Sequence, residues 1–187
     1  MVLILIKQFW DYLAKTQTKS IRIIHTTIAI LIIVQIIDSY FIHTNPGLNW
    51  GAWLHISIGI TITVMSVDFV SDLLKRKGIK YFYPYFFGAF KQLNQDIKSL
   101  LSFKLPTSKP CGLATSVQGL GLSALFLVII SGLSWFSCWL LGLSITHAVK
   151  ETHEFLTLFI EIYICAHGTM GFFHFLIEKY LPSYIAE

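Results

Sequence analysis

Four long apolar stretches, at about 23–42, 52–74, 118–142 and 149–177, decide what this chain can fold into. About 20 predominantly apolar residues in helical form cross a bilayer core. Each stretch reaches that length, and the fourth exceeds it, so it is expected to tilt or to protrude. Hydrophobic residues make up 55% of the 187 and charged residues only 13%, which is outside the range of an ordinary soluble domain. The expected fold is an all-α membrane protein, a four-helix transmembrane bundle forming one domain over 1–187.

The charges give an orientation. Lys7, Lys15, Lys19 and Arg22 precede the first stretch. Lys75, Arg76, Lys77, Lys80, Lys91, Lys98, Lys104 and Lys109 lie between the second and third, and Lys179 follows the fourth. The opposite side has only Lys150. By the positive-inside rule both termini and the middle loop are cytoplasmic. The net charge of +4 then reflects membrane orientation, and nucleic acid is not an expected partner. The run 2–6 is too short for the apolar core of a signal peptide, so none is expected.

Outside the spans, two segments have amphipathic spacing. Leu3, Ile6, Trp10 and Leu13 recur at helical intervals near the start. In the middle loop Phe86, Phe90, Leu93, Ile97 and Leu101 form an apolar stripe, with Gln92, Gln95, Asp96 and Lys98 opposite. Both are expected to be interfacial helices, the second over 85–101, followed by an irregular stretch around Pro106 and Pro110. Trp50, Trp53, Trp135 and Trp139 cluster where an outer aromatic belt belongs. Cys111, Cys138 and Cys165 lie in different segments, so no disulfide framework is implied.

Four histidines carry the chemistry. An imidazole within a membrane is costly and marks function by default. Its neutral ring is also a common axial ligand of haem iron. The first span runs outward, which puts His25 near the cytoplasmic face. The second runs back, which puts His55 near the outer face. His153 and His167 share the fourth span, fourteen residues apart. That spacing is about 21 Å along a helix and returns to within about 40° of the same face. His55 therefore meets His153 at the outer depth, and His25 meets His167 at the inner depth. Two such pairs would hold the iron of two b-type haems. Small residues one turn on, Gly59 after His55, Gly171 after His167 and Ala29 after His25, leave room for a flat macrocycle. No Cys-x-x-Cys-His is present, so covalent c-type attachment is excluded.

Several polar groups have two readings each. His174 lies on nearly the same face as His167 and is an alternative partner for His25. Choosing it would stretch the iron separation to about 31 Å, which disfavours electron tunnelling. It is otherwise a candidate quinone or propionate contact, or a snorkelling structural histidine. Arg22 and Lys19 are candidates to pair with propionates, against ordinary headgroup contact. Glu161 is an intramembrane acid about 80° off the His153 face. Gln35 and Asp38 are candidates to line a polar path in the outer half of the first span. His43 and His147 read as solvated loop residues.

This pattern resembles the bacterial cytochrome b561 family, which groups with the cytochrome b subunits of nickel-iron hydrogenases and formate dehydrogenases. The resemblance covers about 20–178. It rests on Arg22-x-x-His25, His55-x-x-x-Gly59, Ser131-Gly132 and the His153–His167 spacing. It implies two haem b groups, with His25 and His167 on the cytoplasmic-side iron and His55 and His153 on the periplasmic-side iron. It implies a multi-pass protein of the bacterial inner membrane that passes electrons between a periplasmic-side donor and membrane quinone. Members include stand-alone superoxide/quinone oxidoreductases and cytochrome b subunits of periplasmic dehydrogenases. Here Thr26 stands where many members have Trp, and the 75–117 loop is closer in length to the dehydrogenase-subunit type. Bis-histidine ligation fills both axial positions, so transfer is outer-sphere and no catalytic residue is assigned. Whether the chain counts as an enzyme depends on whether it acts alone. The competing class is a haem-free helical transporter or assembly factor whose histidines carry protons or bind metal.

Overall fold

Asn49 shows how a single side chain sets the boundary between the first two spans. Its Oδ1 accepts the backbone N–H of Ala52 at 3.0 Å and of His43 at 3.1 Å. Its Nδ2 donates to the Phe41 carbonyl at 2.7 Å. The first contact caps a helix start; the others tie the incoming chain to it. Together they pull the turn forward, so the first span ends at Ser39 and not near 42.

The computed structural model describes residues 2–44 and 47–186. In chain order the helices are α1 (Val2–Leu13), α2 (Lys19–Ser39), α3 (Trp50–Lys77), α4 (Ile79–Phe82), α5 (Lys91–Leu101), α6 (Leu113–Leu140) and α7 (Thr146–Tyr180). Short 3-10 turns occupy Pro84–Phe87 and Pro182–Tyr184. A two-residue parallel ladder joins β1 (Leu105–Pro106) to β2 (Ile185–Ala186). Among the described residues, α2, α3, α6 and α7 are long and apolar enough to cross a membrane. The architecture is thus that of an all-α membrane protein. Ile33, Val64, Ile130 and Phe159 are exposed on these four helices, as lipid-facing residues should be.

The chain divides into two compact units. One comprises 16–72 and 124–162, with α2, most of α3, the later part of α6 and the first part of α7. Ile28, Ile32, Ala52, Ile62, Leu125 and Ile160 are buried in it. Near the start of α3, Trp53 meets Trp139 at 6.0 Å and Phe136 at 6.4 Å, so part of the expected aromatic cluster forms.

The other unit comprises 1–15, 73–123 and 163–187. Here α1 lies on the end of α7. Phe9 packs edge-on to Phe175 at 5.5 Å, and Lys15 pairs with Glu178 at 2.5 Å. That carboxylate holds the Lys15 ammonium above its ordinary range, chiefly by the hydrogen bond. Burial, then the same carboxylate, raises the Tyr12 phenol.

The segment expected to be one helix over 85–101 is split. Residues Pro84–Phe87 form a 3-10 turn, Gly88 takes a left-handed conformation (φ 64°), and α5 starts only at Lys91. Proline opens that turn, and a glycine able to adopt positive φ closes it. The apolar stripe of α5 stays exposed, as an interfacial helix leaves it for lipid, but one residue of the polar face departs from the pattern. Asp96 is 3% exposed, whereas Phe90, Ile97 and Leu101 are exposed. The reason is a cap: Asp96 Oδ2 accepts the Leu113 N–H at 2.7 Å, at the start of α6. Gln92 Nε2 holds the other oxygen at 2.8 Å. Gly112 lets this carboxylate approach, since a Cβ there would collide with Asp96 Oδ2.

Candidate functional site

Within the unit of 16–72 and 124–162, a cavity opens among α2, α3, α6 and α7. It holds about 920 Å³ of empty space, counting its open mouth. Ile32, Ile60, Leu125, Val128, Leu133 and Phe136 give it a mostly apolar wall. His55 and His153 stand in that wall together with Gly59, Gly132, Gln35, Thr157 and Glu161. The two imidazole rings have centroids 6.4 Å apart and planes at 86°.

That separation is informative. A metal takes an imidazole nitrogen at about 2 Å, so two rings on opposite sides of one ion have centroids roughly 6 Å apart. No group of three or more His, Cys, Asp or Glu with metal-ligand spacing occurs among the described residues. The pair therefore suits a metal whose other ligands come from a macrocycle.

Hydrogen bonding is compatible with a His153 tautomer that could bind metal. Ser131 Oγ lies 3.0 Å from the Val128 carbonyl and 2.9 Å from His153 Nδ1. A hydroxyl has one proton. With that proton donated to Val128, Ser131 accepts from His153 Nδ1–H, and Nε2 keeps its lone pair for a metal. Gly132 makes room for this ring, because a Cβ there would sit 3.0 Å from His153 Cε1. On the facing helix, Gln35 Nε2 donates to the His55 backbone carbonyl at 2.7 Å, and a Cβ at Gly59 would lie 3.4 Å from the same nitrogen.

The other expected site residues stand as follows. His25, in the same unit, stacks on Phe69 with centroids 5.7 Å apart and planes at 5°. In the other unit, His167 stacks on Tyr163 at 5.1 Å and 14°. Tyr163 in turn fills the space over Gly121, where any Cβ would collide with its ring. A Cβ at Gly171 would meet nothing within 4 Å, so the surface one turn beyond His167 is open. His174 and Arg22 are half-buried. His147 is an exposed residue 3.6 Å from Glu151. His43 is not merely solvated: its Nδ1 lies 3.2 Å from the Phe41 carbonyl, within the turn before α3.

Two features were only partly visible in the pattern. Glu161 is on the cavity wall with His55 and His153, despite its angular offset on α7. A wide cavity is lined by more of a helix than the stripe bearing its ligands. Asp38 is buried and its Oδ2 lies 3.7 Å from His55 Nδ1. An acid in an apolar span, at the depth of a histidine across a short loop, was the available signal.

A family model described as prokaryotic cytochrome b561 matches residues 16–183. The chain belongs to that family. No curated protein and no solved structure matches it. Membership makes it a multi-pass bacterial membrane protein of haem b electron transfer. The residues present fit that group: two imidazoles 6.4 Å apart, glycines on the wall, and a mostly apolar surround.

Proposed function

We propose that the chain carries electrons between a periplasmic-side donor and membrane quinone through two haem b groups. His55 and His153 hold the iron on the periplasmic side. His25 and His167, paired by their sequence spacing, hold the iron on the cytoplasmic side. The observation that carries this reading is the 6.4 Å separation of the His55 and His153 rings in one apolar cavity.

When bound, a haem of this kind supplies one-electron transfer at the ring edge. The protein's residues do the rest. Ser131 orients His153 through Nδ1. Gln35 steadies the α3 backbone at His55. The apolar wall lowers the local dielectric and excludes water, which tunes the potential through burial. Quinone is met on the cytoplasmic side, where His174 and Arg22 are candidates to bond a quinone carbonyl. Both termini lie on that side by the charge asymmetry. The length of the 75–117 loop and the scarcity of cationic steering outside favour the cytochrome b subunit of a periplasmic dehydrogenase over a stand-alone superoxide oxidase.

A visible spectrum tests this at once. Dithionite-reduced protein should show b-type bands, and pyridine haemochrome should give two haems per chain. A soluble quinone analogue should reoxidise it rapidly, more slowly in His174→Ala and Arg22→Ala. Colourless protein expressed with ample haem would sink the reading, and unchanged reoxidation in both variants would move the quinone site.

A further inference from the structure

A buried acid stands next to one ring nitrogen of His55. His55 Nδ1 is buried and makes no hydrogen bond, and the same is true of Asp38 Oδ2. These two orphan atoms face each other at 3.7 Å. Buried polar atoms left unmet are costly, so two complementary ones side by side are a strong pairing signal. The gap exceeds a hydrogen bond, and a shift of about half an ångström closes it. Asp38 is at the end of α2, the helix whose Gln35 already holds the His55 carbonyl at 2.7 Å. The carboxylate and the amide thus approach the same residue from one helix face, at side chain and backbone.

We infer that Asp38 is the positioning residue of His55, accepting Nδ1–H so that Nε2 faces the metal, and that it lowers the potential of the haem held there. This rests on the proposed ligation by His55 and His153. The two ligands then differ in kind: His153 is backed by a neutral hydroxyl and His55 by a carboxylate. A carboxylate acceptor makes imidazole a stronger donor and favours oxidised iron. A low potential on the periplasmic side would make transfer toward the quinone side downhill.

The test is redox titration of the haem-loaded protein, with Asp38→Asn as the main variant and Ser131→Ala and His55→Ala beside it. Asp38→Asn should raise one of two midpoint potentials by a tenfold or greater change in the redox equilibrium, about 59 mV for one electron. The other potential should stay in place, and Ser131→Ala should move its haem less. Low-temperature EPR of the same haem should shift as well, which a purely structural role would not produce. Unchanged potentials in Asp38→Asn, with His55→Ala lacking one haem, would overturn the role of Asp38 alone. Two haems retained in His55→Ala would instead overturn the ligation beneath it. Should Asp38→Asn fail to load that haem, Asp38→Glu decides: restored haem at the wild-type potential supports the pairing, and failure to restore it overturns it.

Discussion

At the residue scale, the site depends as much on absent atoms as on present ones. Gly132 borders the His153 ring so closely that a methyl group would lie 3.0 Å from Cε1. Gly132→Ala should displace that ring at a strain cost of about 1–3 kcal/mol, and occupancy of the His55–His153 haem should fall while the protein still inserts. Gly168→Ala is the contrast, since its Cβ meets nothing within 4 Å of the protein. Haem-to-protein ratios of the two variants check this; equal and full occupancy in both would show that His153 tolerates the shift. That His55 and His153 come together was legible from their matching depth. Ser131 appeared only as part of a short motif, and its role needed its contacts to Val128 and His153 Nδ1. No periodicity reports which way a hydroxyl donates.

At the element scale, the four long helices were legible because lipid sets both their length and their composition. Their ends were less so. Asn49 moved the end of α2, and Asp96 starts α6, each through a side chain acting on a distant backbone group. The clearest correction was to the interfacial helix expected over 85–101, which starts as α5 only at Lys91 and buries Asp96 from its polar face. Amphipathicity identifies two faces, and in a membrane protein the apolar one can face lipid. Because Asp96 is nearly fully buried, Asp96→Ala should leave the Leu113 N–H unmet and cost about 1–3 kcal/mol. Thermal denaturation in detergent should show a lower midpoint for Asp96→Ala and a smaller fall for Asp96→Asn, which keeps an acceptor. An unchanged midpoint would mean that the cap contributes nothing to stability.

At the scale of the whole molecule, orientation and haem number remain the largest claims, and both derive from the distribution of a few residues. The lysine asymmetry predicts cytoplasmic termini. A reporter fused after residue 187 should be active only in its cytoplasmic form, and a periplasmic signal would reverse every inner and outer assignment made above. Haem number follows from two histidine pairs at separate depths. Its most direct measurement is haem stoichiometry in the purified wild-type, His55→Ala and His153→Ala proteins by pyridine haemochrome. The account predicts two haems b per chain in the wild type and one in each variant, with the two variants sharing the same residual spectrum. Two haems retained in either variant, or different residual spectra between them, would contradict it.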